Sequence, residues 1–137
     1  MAQQELTAEQ SSQWVREHFQ KANKYMAEKG ILIDTVLHQE SRYLVPLVAV
    51  WKMRSQKGKT YWVITGDLPS DHVEVTAASN ARDAIRDFSL RWQLKADQIL
   101  NQANLDNTQR NFAHLMINRA ENLYNVYDDD KLWGGQA

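Results

Sequence analysis

The stretch Tyr43-Leu-Val-Pro-Leu-Val-Ala-Val-Trp-Lys-Met-Arg54 decides the fold, because its apolar residues alternate with the period of a β-strand. The next residues, Ser55-Gln-Lys-Gly58, are typical of a hairpin turn, and Lys59-Thr-Tyr-Trp-Val-Ile-Thr65 predicts a second strand. Pro46 has no N–H group to donate to a sheet, so we expect it near a strand end or on an edge.

Weaker strand patterns flank this hairpin. The β-branched segment 31–38 predicts a strand before it, and residues 72–76 predict a short edge strand after it. The sequence therefore predicts an antiparallel meander of three to four strands.

Helical patterns occupy the two ends of the chain. Thr7 and Gln10 have the spacing of a capping box and open an N-terminal helix. Residues 80–103 and 108–127 repeat their apolar side chains with a helical period. Because the strands come in one block, we predict an α+β fold with an N-terminal helix, the meander and two C-terminal helices packed on the sheet.

Length and composition limit the class of protein. The 137 residues predict a single domain, with a core over about 8–127. We expect the tail, 128–137, to dock through Leu132 and Trp133. The chain has no cysteine, which excludes disulfide scaffolds, thiolate metal sites and cysteine nucleophiles.

The sequence also indicates a location. Its first ten residues lack the basic and apolar regions of a secretory signal. The longest apolar run, Leu44–Trp51, is far too short to span a membrane. We therefore expect no membrane association and a cytoplasmic protein.

The segment Gly66-Asp-Leu-Pro-Ser-Asp-His72 is the best candidate for a catalytic loop. A histidine beside a carboxylate can act as a general base near neutral pH, which makes Asp67, Asp71 and His72 the residues of a hydrolase-like alternative, with Trp62 lining its pocket. The same residues are also turn formers whose side chains bond to local backbone N–H groups. Turn chemistry explains all of them except His72.

Basic residues are concentrated in one part of the chain. The sequence has 16 basic and 17 acidic residues, but the stretch 41–66 contains five basic residues and no acidic one. With its tryptophans this stretch suggests weak nucleic-acid binding, although the basic residues are too few for strong binding and equally keep a hairpin soluble. The candidate binding residues in this stretch are Trp62 and Arg42, and Arg82 and Arg86 of the second helix would form an anion site with Arg42 if the end of the sheet lies near them.

Leu90 and Leu94 lie opposite the main apolar stripe of their helix, one turn apart. We expect the last helix to cover them; the alternative is that they form a homodimer face or contact a partner protein. The sequence contains no phosphate-binding loop, dinucleotide fingerprint or metalloprotease motif, and we predict no metal site and no cofactor. The leading hypothesis is a non-enzymatic binding or protein-interaction module, regulatory or immunity-like.

Four segments carry a resemblance to a known family: residues 40–52, 61–72, 88–93 and 123–133. With them the chain resembles a family of small uncharacterised bacterial proteins found mainly in gammaproteobacteria, over about residues 10–133. The resemblance implies a bacterial single-domain protein. It implies no activity and no catalytic residues.

Overall fold

Helix α1 (Ala8–Glu28) opens the computed structural model, which describes residues 6–134. Five strands follow, and helices α2 (Ala81–Leu100) and α3 (Asn107–Asp128) close the order. The strands are β1 (Ile33–Val36), β2 (Arg42–Leu44), β3 (Val48–Ser55), β4 (Thr60–Gly66) and β5 (Asp71–Glu74). The predicted α+β order is confirmed, with five strands in place of three or four.

All strand pairs are antiparallel, and the sheet runs in the order β1-β3-β4-β5. Strand β2 also pairs with β3, beside Val48–Val50, whereas β1 pairs with the other end of β3. Ser41 joins these two short strands, since its hydroxyl donates to Leu37 O and accepts from Lys52 N, each at 2.9 Å.

The prediction of one strand over residues 43–54 is wrong, because the chain reverses within it. Leu47 N donates to Leu44 O at 2.7 Å, and this turn contains Pro46 after a cis peptide bond. Alternation of apolar residues indicates which side chains are buried. It does not indicate where the chain turns. Here the chain turns at Pro46, which has no N–H group to donate to the sheet.

The chain divides into two compact units, one ending at Thr76 and the other beginning at Ala77. In the first unit, α1 contacts β1 and β4. Its core consists of buried residues from one face of the sheet and from the second half of α1: Ala22, Met26, Ala49, Trp51, Met53 and Val63. Cross-strand partners share a face, so Tyr43, Tyr61 and Val63 are on the α1 side of the sheet with Trp51.

The second unit is an antiparallel pair formed by α2 and α3. Ser89 is fully buried, and its hydroxyl donates to Ala120 O at 2.7 Å, so two small residues mark the close approach of the helices. Leu90 and Leu94 are 41% and 65% exposed, which shows that the expectation that α3 covers them is wrong. The pair packs on the Ser89 side of α2 and leaves these leucines in solvent.

The end of the second unit is held by one arginine. Arg82 Nε donates to Tyr127 O at 2.9 Å, and its Nη2 lies 2.7 Å from an oxygen of Asp130. The guanidinium also lies over the rings of Tyr127 and Trp133, and Trp133 is 5% exposed. Residues 135–137 of the predicted tail, and the first five residues of the chain, lie outside the described part. No helix within residues 6–134 has the length and apolarity needed to cross a membrane.

Candidate functional site

The predicted catalytic loop places His72 against α1. His72 pairs with Val63 across β4 and β5, so its imidazole is on the α1 side of the sheet. Its Nδ1 lies 2.8 Å from the Tyr25 hydroxyl. The rings of Tyr25 and Tyr61 pack edge-on against the imidazole, with centroids at 5.6 and 5.7 Å. His72 thus joins α1 to the edge strand β5.

The proton positions in this cluster follow from its hydrogen bonds. The Tyr25 hydroxyl bonds to the Asp71 carboxylate as well as to His72. A phenol has one proton and a carboxylate only accepts, so Tyr25 donates to Asp71 and His72 Nδ1–H donates to Tyr25. Burial, and then the charge and hydrogen bond of Asp71, raise the pKa of Tyr25 to about 12. Burial lowers the pKa of His72, with Lys29 acting in the same direction and Asp71 against it. Both rings are therefore neutral at pH 7.

The structure brings some of the predicted catalytic residues together and separates others. Asp71 accepts the His72 backbone N–H at 2.8 Å, which is the turn interaction that the sequence suggested as the simpler explanation. Asp67 is exposed. Trp62 pairs with Val73 and lies on the sheet face opposite to His72, so it cannot line a pocket around the imidazole. The direct partner of the imidazole is a phenol, Tyr25.

This cluster predicts a loss of stability in mild acid. The unfolded chain binds a proton on His72 near pH 6.5, whereas the folded chain binds it only at a lower pH, so protonation favours unfolding. We expect this contribution to the free energy of unfolding to be retained above pH 6.5 and to be lost as the pH falls from there through the lowered pKa of folded His72. Urea denaturation at several pH values measures this. His72→Gln should flatten the dependence and His114→Gln, at an exposed position in α3, should not; an unchanged slope in His72→Gln would contradict the assignment.

The predicted basic surface is largely accounted for by other contacts. Lys52 pairs with Glu40 at 2.7 Å and Lys59 with Glu74 at 2.9 Å, so acidic residues from outside the basic stretch offset part of its charge. Trp51 and Trp62 are each 1% exposed and offer no ring on which a base can stack. Two of the five basic residues in the stretch are therefore paired with carboxylates, and neither tryptophan can stack on a base, so these contacts give the nucleic-acid hypothesis no support.

The four predicted binding residues divide between the two units. Arg42 and Trp62 lie on the same face of the sheet, since Arg42 pairs with Val50 and Trp62 with Lys52 of β3. Arg82 is engaged by Asp130 and Tyr127, as described above. Arg86 is exposed one turn further along α2. Arg82 therefore has a structural role that an anion would have to displace.

A groove that is open to solvent, with a volume of about 430 Å³, lies between the first half of α1 and the sheet. We call it the helix–sheet cavity, and it is lined by Ser11, Ser12, Val15, Arg16, Phe19, His38 and Trp51. The helical residues recur at the spacing of a single face. His38 comes from the turn between β1 and β2, and Trp51 from the centre of β3.

Aromatic packing fixes the wall of this cavity. The Trp51 ring packs against Tyr43 and Phe19, with centroids at 4.7 and 5.8 Å, and its Nε1 donates to Thr65 Oγ1 at 3.0 Å. His38 Nδ1 lies 2.8 Å from the Tyr43 hydroxyl, whose pKa is raised by burial. The indole N–H of Trp51 and the hydroxyl of Tyr43 thus have hydrogen-bond partners within the protein. The bond to Tyr43 fixes the orientation of the His38 imidazole at the rim of the cavity.

Sequence reasoning missed this cavity because its walls come from three separate segments. The sequence contained one indication of the cavity. Ser12 and Arg16 are polar residues beside the apolar stripe of α1, at positions that would be apolar if that face of the helix were fully buried. On the same helix, the buried Nδ1 of His18 has no hydrogen-bond partner among the described residues. Its ring packs instead on Trp14, with centroids at 4.0 Å.

Comparison with known proteins gives one match. The family described as a domain of unknown function (DUF4826) matches residues 8–133, which is nearly the whole chain. No curated protein and no solved structure matches. Within residues 6–134, no group of three or more His, Asp or Glu side chains is arranged to hold a metal ion.

Proposed function

We propose a binding function for this chain, which belongs to the DUF4826 family of domains of unknown function: it holds a small organic ligand in the helix–sheet cavity. The observation that carries the proposal is the cavity itself, with a volume of about 430 Å³. Pockets that bind small organic molecules span roughly 300–1,000 Å³ and combine apolar walls with a few polar groups.

The lining has this composition. Val15 and Phe19 supply apolar walls for the body of a ligand beside the almost fully buried Trp51, and Arg16 and His38 supply polar groups. The wall is held by the stacked rings and the Trp51–Thr65 hydrogen bond, so a ligand does not have to order it on binding.

A neutral fluorescent probe, N-phenyl-1-naphthylamine, tests the proposal. Its fluorescence rises when it enters an apolar site, and we expect saturable binding to the full chain. Ser12→Trp fills the mouth of the cavity from an exposed helical position and should weaken this binding by about tenfold or more. Gln20→Trp, at an exposed position of α1 outside the lining, is the matched control and should bind like the wild type. Absence of binding, or equal binding by Ser12→Trp and the wild type, would contradict the proposal.

A second candidate, association through α2, is favoured by the exposure of Leu90 and Leu94. Two leucines one turn apart form a short apolar strip of the kind that meets a second copy or a partner protein. The molar mass in solution, measured by light scattering, tests self-association. A cytoplasmic location and a bacterial origin stay predictions.

A further inference from the structure

We infer that the ligand of the helix–sheet cavity is an anionic amphiphile: an apolar ring or chain that carries a carboxylate. This inference rests on the proposed function and adds the chemical class of the ligand. Its basis is the charge of the lining, which contains the cation Arg16 and the imidazole of His38 and no acidic residue. An apolar body would lie against Val15 and Phe19, with its carboxylate at the rim.

A second cavity on the same helix shows that this charge is specific to one side of α1. It has nearly the same volume, about 420 Å³, and is lined by Leu6, Glu9, Gln10, Gln13, Trp14 and Glu17. This lining contains two carboxylates and no cation. Because the two cavities differ little in size, the sign of charge is what separates the ligands that they can accept.

The guanidinium of Arg16 has donors to spare. Its Nη1 donates to Gln13 Oε1 at 3.2 Å, and Gln13 Nε2 donates in turn to Glu17 Oε1 at 3.0 Å. Gln13 therefore stands between Arg16 and the carboxylate of Glu17, and Arg16 forms no ion pair with a described residue. A guanidinium has five N–H donors in a planar fork that matches the two oxygens of a carboxylate.

His38 supplies the second polar contact. Its Nδ1 is engaged by the Tyr43 hydroxyl at 2.8 Å, which leaves Nε2 for another partner. The tautomer with the proton on Nε2, in which Tyr43 donates to Nδ1, is the neutral form that donates to an anion. An anion in the cavity selects this tautomer. The arrangement therefore favours a ligand group that only accepts hydrogen bonds, such as a carboxylate, over an ammonium group. The charge of Arg16 repels an ammonium group, and a protonated Nε2 cannot accept a hydrogen bond from it.

Displacement of N-phenyl-1-naphthylamine by three matched naphthalene compounds tests the inference. The compounds share the ring and differ in the group on the side chain: naphthalene-1-acetate, naphthalene-1-ethanol and naphthalene-1-ethylammonium. We expect the acetate to have an inhibition constant about tenfold lower than the alcohol, and the ammonium to bind most weakly. In Arg16→Gln the acetate should fall to the level of the alcohol, so that the ratio of the two inhibition constants, measured within each variant, approaches one. Arg54→Gln, exposed on β3 and outside the lining, should keep the preference.

The outcomes separate this inference from the proposed function. If the neutral probe binds and the acetate and alcohol displace it equally, the inference is overturned and the proposed function stands. A preference for acetate that survives in Arg16→Gln also overturns the inference, because it places the anion elsewhere. Absence of binding both by the neutral probe and by naphthalene-1-acetate, the latter measured by titration calorimetry, overturns the proposed function and the inference together.

Discussion

Replacing Trp51 with alanine is expected to lower the free energy of unfolding by about 4 kcal/mol, since truncation of a fully buried aromatic side chain costs roughly 3–5 kcal/mol. Trp51 is 1% exposed and packs against Tyr43 and Phe19. The truncation also leaves the buried Thr65 hydroxyl without its hydrogen-bond donor. Urea denaturation followed by circular dichroism measures the loss.

Trp14→Ala is the matched control for this prediction. Trp14 is also part of the apolar packing of the first unit but is only half-buried, so its replacement should cost clearly less. If the Trp51→Ala protein does not fold, Trp51→Phe keeps a ring in the wall and still loses the hydrogen bond, and should give an intermediate loss. Equal losses for Trp51→Ala and Trp14→Ala would show that Trp51 contributes no more than Trp14 to the stability of the core.

The second large effect is expected at Gly66, the last residue of β4. Its φ is +151°, and a Cβ atom there would lie 2.7 Å from Leu47 O and 3.1 Å from Val48 Cα. These are backbone atoms at the start of β3 and cannot move away as a flexible side chain would. Gly66→Ala should therefore lower the free energy of unfolding by about 3 kcal/mol or more, combining conformational strain with the clash.

Gly58→Ala separates the two causes. Gly58 lies in the β3–β4 turn with φ +87°, and a Cβ atom there meets nothing within 4 Å. This variant has the strain alone and should lose about 1–2 kcal/mol. Chemical denaturation of the two variants side by side gives the comparison. Losses of the same size would mean that the close approach of Gly66 to Leu47 does not constrain the sheet.

Helix boundaries were the most predictable part of the fold because their signals are local. Thr7 and Gln10 form the capping box that their spacing predicted, and Asp106 and Gln109 have the same spacing and form a second one at the start of α3. Gly30 adopts φ +79° at the end of α1, the left-handed conformation in which glycine commonly ends a helix. Each of these signals depends on atoms three or four residues apart, so a single sequence contains all of the information.

Strand organisation was less predictable because pairing joins distant residues. The alternation in 43–54 indicated the burial of residues 48–51 and 53, but Leu47 is 44% exposed, and the pattern hid the reversal at Pro46 and the sharing of one edge of β3 by β1 and β2. The candidate site was hidden for the same reason. Arg16, His38 and Trp51 share no local pattern, and only the packing of α1 on the sheet brings them around one cavity.

The loop chosen from sequence had a plausible composition for catalysis, but its surroundings decide the role of His72. Asp71 accepts the neighbouring backbone N–H, as turn residues do, and reaches the imidazole through Tyr25. Tyr25 lies far away in sequence, on α1, and nothing near His72 in the chain indicated it.

Nuclear magnetic resonance of the full chain tests the central claim most directly, because each tryptophan indole N–H gives its own signal. We predict that titration with naphthalene-1-acetate shifts the Trp51 indole signal and the backbone signal of Val15 saturably, since both residues line the helix–sheet cavity. The indole signals of Trp92 and Trp133, in the second unit, should stay in place. A titration that leaves Trp51 and Val15 unchanged, or that shifts Trp92 or Trp133 most strongly, would contradict a ligand site between α1 and the sheet.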